Sequence, residues 1–322
     1  MYCFGLFPLF PIFVHVFGLP SSSTSIIENR DSGSESSPNP IASLYPNDVS
    51  GTINSTIFLV PIPYELARSI IPPQFGILKE AYLSLLPGFP DTSYPVRRNC
   101  FPSLKRNLDT NVYSQLVIRG ALDHDVGVYA LNFALPDFQS IHILYPFVDI
   151  LSDGYSSFVY QEYLLLTSTS TIAITGTEVY GTVVVPATFQ PELEAYEYAK
   201  NRDCDPIELK AFTNLSTTAP AASMIFEPID EVAPWPMEFY VDVTNQPITT
   251  LGVLCDEQVT MFNTSLSEGR NTPMGIIGDV EILNEYVTGG TGMFEAKGVF
   301  GVKVDIAFVE FPGSTCASFS RT

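Results

Sequence analysis

Charge is scarce in this chain, and basic charge is scarcer still. Of 322 residues only 16% are charged, and 15 Lys+Arg face 35 Asp+Glu, for a formal charge of −20. A surface this acidic repels phosphate backbones and anionic lipid heads, which excludes nucleic acid as a partner. The only histidines are His15, His124 and His142, too few for a His-rich metal centre and a tight limit on Ser-His-Asp chemistry, so no metal is expected. No G-x-G-x-x-G follows a strand, and neither G-x-x-x-x-G-K-[ST] nor G-x-S-x-G occurs, so no nucleotide cofactor is expected either. Beyond the N-terminus there is no apolar run of the length a spanning helix needs.

What remains is apolar and aromatic. Hydrophobic residues make up 46% and aromatics 12%, ample for a packed core and unlike a disordered, coiled-coil or collagen-like chain. Residues 1–20, MYCFGLFPLFPIFVHVFGLP, are uncharged and nearly all apolar, with Pro8 and Pro11 interrupting any long helix. They read as a signal peptide of a secreted protein, with a membrane anchor as the alternative and no stable membrane insertion once the leader is gone. Residues 21–50, rich in Ser, Asn and Pro, read as a flexible arm, and 51–322 as one domain of steady composition. Removal of the leader takes Cys3 away. Cys100, Cys204, Cys255 and Cys316 are left, an even number that suits disulfides, with three pairings open. Asn54, Asn214 and Asn263 head N-glycosylation sequons, about as many as chance supplies.

Within 51–322 short stretches rich in Val, Ile, Thr and Tyr alternate with Gly, Pro, Asn and Asp, the pattern of strands and turns. Strands are expected at, among others, Thr56–Pro61, Ala81–Leu86, Val112–Arg119, Gly127–Phe133, Thr171–Thr177, Met237–Val243 and Gly292–Val309. Several are apolar on both faces, which suits a closed barrel or stacked sheets. Helices are expected at Pro63–Ile71 and Pro191–Lys200, each with an early proline. Asp123-His124-Asp125 offers a histidine between carboxylates, as an acid–base group or as plain turn chemistry. His142, between two isoleucines, reads as a core or rim histidine. Asp149, Asp153, Glu162 and Glu178 fall close enough in sequence to be candidates for a cavity lining and for catalysis, as is His124.

Three blocks carry a family resemblance. Val60–Ser93 (VPIPYELARSIIPPQ…AYLSLLPGFPDTS) resembles the entry strand, helix and following strand of acetoacetate decarboxylases. Ile172–Gly181 (IAITGTEVYG) is similar to that family's Gly-Arg-Glu-x-x-Gly strand, and Tyr145–Phe158 (YPFVDILSDGYSSF) resembles a signature of fungal members of the superfamily. The resemblance spans about residues 51–312. It implies a mainly β fold, a closed antiparallel cone-shaped β-barrel with a few short helices, a ligand in its mouth and a homo-oligomer.

The family's reaction runs through a lysine Schiff base on a β-keto acid. Carried onto this chain without gaps, Val184 falls at the nucleophile and Val185 at its neighbouring cation, while Ile53 and Leu85 fall at an arginine and a glutamate; only Glu178 is kept. Valine has no nucleophilic atom, so Schiff-base chemistry is excluded at that place. The replacements imply an apolar cavity lined by Ile53, Leu85, Val184 and Glu178, suited to a small apolar, polyketide- or terpenoid-like metabolite. Two readings stand side by side: a cofactor-free lyase, isomerase or cyclase, and a secreted ligand-binding barrel without catalysis. A decarboxylase with a relocated lysine is third. Borohydride reduction in the presence of acetoacetate should trap no adduct on the purified protein; a mass increase on Lys297 or Lys303 would overturn this.

Overall fold

The computed structural model describes residues 37–86, 113–199, 206–214, 219–229, 231–232 and 234–320. The leader, most of the arm, Cys3, His15, Cys100 and Cys204 lie outside the described residues. The elements run β1 (Val49–Pro63), α1 (Tyr64–Ile70), β2 (Gly76–Ile77), α2 (Lys79–Leu85), β3 (Tyr113–Val128), β4 (Phe133–Ala134) and β5 (Phe138–Asp149). There follow β6 (Phe158–Tyr160), β7 (Tyr163–Thr167), α3 (Thr171–Glu178), β8 (Val183–Gln190), β9 (Glu197–Tyr198), β10 (Ile207–Thr213) and β11 (Ala222–Pro228). The chain continues through α4 (Met237–Thr244), β12 (Ile248–Thr249), β13 (Leu254–Met261), β14 (Met274–Leu283), α5 (Asn284–Val287) and β15 (Met293–Thr315). The expected mainly β fold with few helices is what forms.

The strands close on themselves twice. A larger ring runs β5–β7–β8–β10–β11–β14–β15–β1–β3 and back to β5, and a smaller one runs β5–β6–β12–β13–β15–β1–β3. Both rings use the wall β15–β1–β3–β5. Two long strands make this work. The first half of β15 pairs with β14 (Leu283↔Met293 to Met274↔Lys303), and its second half pairs with β13 (Met261↔Ala307 to Leu254↔Thr315). Likewise β5 pairs with β7 at Ser140–His142 and then with β6 at Tyr145 and Val148, with a register shift between those two residues. Phe147, at φ 59°, sits in that shift.

A wall shared by two rings has little exposed surface, and β1 is buried along almost its whole length. Alternation still sorts the side chains of β1 and β3. Phe58, Val60 and Ile62 of β1 join Leu116, Ile118 and Leu122 of β3 in one core. Ile53, Ile57 and Leu59 join Val117, Ala121, Val304 and Ile306 in the other. A slip of one residue would exchange the two sets, so the register is strongly specified.

Some expected elements change type. Ala81–Leu86 and Met237–Val243 are helical, not extended: α2 buries Tyr82, and α4 buries Phe239, Tyr240 and Val243, a helix face built from residues of high strand propensity. Thr171–Thr177 is the helix α3, with no buried residue at all. The helix expected at Pro191–Lys200 does not form; Glu197–Tyr198 is instead β9. The Gln139 amide explains part of this, since it donates to the carbonyls of Pro191 and Glu194 and accepts from the Leu193 N–H. Those backbone groups are thereby held outside a helical ladder. The helix expected at Pro63–Ile71 is α1, and the glycine-rich stretch Gly289–Gly292 leads from α5 into β15. Asp123-His124-Asp125 lies within β3 and not in a free turn; Asp125, at φ 45°, borders the register shift between β3 and β1.

Of the cysteines, Cys255 and Cys316 form a disulfide that ties the start of β13 to the end of β15 across 61 residues of sequence. Asn54 is buried in β1 with its amide donating to Asp305, so this sequon offers no acceptor nitrogen, whereas Asn214 and Asn263 are exposed. Among the described residues no helix is long and apolar enough to cross a membrane. Closing a loop of that size removes about 4 kcal/mol of unfolded-state entropy. The double variant Cys255→Ala/Cys316→Ala should lose stability of that order in urea denaturation, and an unchanged midpoint would show that the β13–β15 pairing holds without the bond.

Candidate functional site

A cavity of about 210 Å³ is lined by residues of β3, β5, β7, α3, β12, β13 and β15. Its floor is built by residues two or four apart on single strands: Arg119 and Asp123 on β3, Ser140 and His142 on β5, Asp256 and Gln258 on β13, Phe308 and Glu310 on β15. Arg119 and His142 are direct partners across β3 and β5, and Glu310 lies opposite Gln258 across β15 and β13. Gln161, just after β6, completes the polar floor. The walls are apolar, with Leu164 and Leu166 of β7, Phe138 and Val126. One side of α3 (Ile172, Ala173, Gly176 and Thr177) lies over them, and Ile172 and Phe133 are exposed at the mouth.

The floor concentrates charge where water is scarce. Arg119 Nη2 lies 2.9 Å from His142 Nε2, which is also 3.1 Å from the Ser140 hydroxyl. Burial, and then the adjacent Arg119 cation, push the His142 imidazole well below its ordinary value, with Gln161 opposing. The ring is therefore neutral. Because Nε2 accepts from the guanidinium, the proton sits on Nδ1. Burial lowers Arg119, while Asp123 and Asp256 hold its charge in place. Burial also pushes the Asp123 carboxyl up to about 7, Glu310 and Asp137 adding to the effect and Arg119 opposing it. Asp256 is raised well above the carboxylate range by burial and by Glu310, and Glu310 is raised by burial. Arg119 Nε, Gln161 Nε2 and Asp256 Oδ1 are buried without a hydrogen-bond partner among the described residues. Such groups are costly unless something meets them.

Chemically, the floor offers a carboxyl that exchanges protons near neutral pH and, beside it, a cation that can stabilise negative charge developing on an oxygen.

The residues singled out from the sequence lie elsewhere. Asp149 ends β5 and accepts from the N–H groups of Asp153 (3.1 Å) and Gly154 (3.0 Å), while Asp153 accepts from Tyr155 (3.0 Å) and Ser156 (2.8 Å); together they shape a loop. Glu162 accepts from the Tyr160 hydroxyl at 3.3 Å. His124 points to the opposite face of β3 from Arg119, with Nδ1 2.6 Å from Asp137. Glu178 is exposed at the end of α3. None of Ile53, Leu85 and Val184 lines the cavity described above. Ile53 is core, Leu85 packs against that core, and Val184 belongs to a separate cluster with Leu164 and Leu166. The carry-over fails for a local reason. Residues 171–178 are helical, Gly181 turns at φ 88°, and β8 begins only at Val183, so Gly176–Val185 is not one strand.

The residues that do line the cavity carried a weaker signal. Arg119 and Asp123 interrupt an apolar strand, VIRGALD. A lone charge in such a run needs a partner or a cavity.

A stability consequence follows for pH. The folded value of Asp123, about 7, lies above its ordinary 3.8, so the native state holds a proton that the unfolded chain gives up. Stability is therefore lost as pH rises between about 4 and about 7 and levels off above. Asp256, Glu310 and Asp305 are shifted in the same direction. The thermal midpoint should be higher at pH 5 than at pH 8, and Asp123→Asn should raise the pH 8 midpoint more than the pH 5 one. A midpoint that climbs from pH 5 to pH 8 in the unmodified protein would refute this.

No protein-family model matches the chain, and no curated protein matches it. Among solved structures it is similar to the enduracididine biosynthesis enzyme MppR complexed with pyruvate, at 10% identity over 85% of this chain and 92% of that one, with a TM-score of 0.48. The same enzyme with HEPES bound gives 8% identity over 84% and 88% of the two chains, at a TM-score of 0.45. An acetoacetate decarboxylase-like enzyme from Sphingomonas wittichii RW1 gives 6% identity over 87% and 98%, at a TM-score of 0.37.

Proposed function

We propose that the cavity binds a small, mainly apolar metabolite and moves a proton on it without a cofactor. The observation that carries this is the apolar-walled cavity with a buried Arg119–His142 pair and the proton-exchanging Asp123 on its floor. An acceptor oxygen of the ligand, such as a carbonyl, lies against the Arg119 guanidinium and the Gln161 amide at the floor. Asp123, ionised, takes a proton from the carbon next to that carbonyl. Negative charge gathers on the oxygen against the guanidinium, and the proton returns to another carbon or the enolate eliminates a group. This is the chemistry of an isomerase, cyclase or lyase, and apolar walls add orientation.

A lysine-based reaction has no support here, because no lysine lines the cavity among the described residues. Lys303 points elsewhere, its Nζ 5.3 Å from the centre of the Tyr196 ring. The Cys255–Cys316 disulfide supports export, since such bonds persist in oxidising compartments.

Deuterium incorporation next to the carbonyl of cyclohexanone, followed by NMR, tests the reading. The protein should accelerate it, with a rate that rises through about pH 7 as Asp123 ionises, and Asp123→Asn should remove at least ~100-fold of the acceleration. Ile172→Trp, at an exposed position of the mouth, should weaken ligand binding while changing stability by no more than about 0.5 kcal/mol. Binding of the ketone without exchange would reject the enzyme in favour of a ligand carrier.

A further inference from the structure

One hairpin keeps its apolar side chains in water. Between Asp125 and Asp137 the sequence reads VGVYALNFALP, with no charged residue. β3 ends within this stretch, and Phe133 and Ala134 return as β4, paired with Val128 and Gly127. Asn132, at φ 48°, supplies the left-handed residue common in short hairpin loops. β4 pairs with β3 alone, so the hairpin lies at the end of the sheet and belongs to neither ring. All six residues from Tyr129 to Ala134 are exposed, and all but Asn132 are apolar: Tyr129 is 65% exposed, Leu131 74% and Phe133 43%. The turn before β1 lies beside them, where the Ala130 N–H donates to the Pro46 carbonyl at 2.7 Å, and that turn carries the exposed Leu44. Single exposed apolar residues are ordinary on a protein surface, but an unbroken run on a hairpin tip marks a contact surface.

The tip is continuous with the cavity. Phe133 belongs to both, Val126, Gly127 and Leu135 of the same hairpin line the cavity, and so does Ile172, 55% exposed near the start of α3. Charge and size choose the partner. Neither the hairpin, nor the turn of residues 40–48, nor α3 contains a Lys or Arg, so nothing there attracts an anionic surface. Asp125 and Asp137 flank the tip, and two copies of a chain at −20 repel each other. Six residues also fall far short of the roughly 800 Å² per partner, about 20–30 residues, that a stable protein–protein contact needs. Lipid asks for no complementary shape. Tyr, Leu and Phe side chains enter the interface of a bilayer in proportion to the apolar area they bury there.

We propose that this hairpin tip docks on a zwitterionic lipid surface, with Tyr129, Leu131 and Phe133 entering the interface and the cavity mouth held next to it. The contact is peripheral and reversible, and the hairpin does not span the bilayer. Because apolar area alone carries the contact, added salt does not weaken it, whereas anionic lipid opposes it through the acidic flanks. A lipophilic ligand passes between lipid and cavity beside Phe133 and Ile172 without crossing water. That passage rests on the cavity being the ligand site proposed above; the docking does not.

Flotation of the full chain with phosphatidylcholine vesicles tests this. The protein should float with them equally at about 0.1 M and about 0.5 M salt, and less with vesicles in which about one lipid in three is phosphatidylserine. The double variant Tyr129→Gln/Leu131→Gln, checked for folding by circular dichroism, should lower the partition coefficient at least ~10-fold. Leu131→Trp puts a reporter on the tip, and its emission should shift to the blue on phosphatidylcholine vesicles, above the signal of the buried Trp235. Residues 1–20 are apolar too, so vesicle binding that the double variant retains in full, or an unshifted Leu131→Trp emission, would overturn the tip as the docking surface. Tighter binding to the phosphatidylserine vesicles, or a dimer of the unmodified chain that the double variant dissociates, would overturn the partner. If no vesicle binds while cyclohexanone still does, the docking falls and the cavity reading stands.

Discussion

The wall formed by β1, β3, β5 and the middle of β15 (299–309) is buried almost throughout, and the rest of the structure is arranged around that constraint. Each of its residues is committed to one of two interiors by pleat alone. Apolar residues satisfy either side, and the alternation of Phe58 with Ile57 and Leu59, or of Ile118 with Val117, fills both cores from one strand. Polar residues on the wall have nowhere to be solvated. They must pair, as Asn54 does with Asp305 and His124 with Asp137, or face a cavity, as Arg119 and Asp123 do.

That same constraint gives the site its electrostatics. A buried carboxylate is expensive unless a cation or hydrogen bonds compensate it, and the usual escape is to stay protonated. With Arg119 alone among several acids, the cavity keeps protons at pH values where surface carboxyls have lost theirs. Proton exchange near neutrality is thus a consequence of packing. The neutral His142, bonded to Arg119, holds the guanidinium in orientation without adding charge.

The element over the cavity contrasts with the wall beneath it. α3 buries none of its residues, carries Ile, Thr and a glycine in its middle, and has no side-chain cap. Intrinsic preference would make this segment a strand. It is a helix because the edges of β7 and β8 are already paired with each other on either side of it, in parallel from Tyr163↔Val183 to Thr167↔Ala187. A connection between parallel neighbours must cross over, and a helix does so while satisfying its own backbone.

From the sequence alone came the mainly β class, the first helix after β1, the exclusion of nucleotide motifs and of a nucleophile at Val184, and cysteines suited to a disulfide. All of these depend on composition, short-range pattern or residue identity. Which strands close into rings, that 171–178 and 237–244 are helical, and which charges meet were decided by tertiary structure. The site shows why most clearly. Arg119, His142, Gln161, Asp256 and Glu310 come from β3, β5, the turn after β6, β13 and β15, and only ring closure makes them neighbours. Asp149, Asp153, Glu162 and Glu178 are close in sequence and were the natural candidates, yet the first two bind their own loop and Glu178 faces solvent. Proximity along a chain fixes local turns; proximity in space comes from non-local strand pairing, and no short-range pattern encodes it.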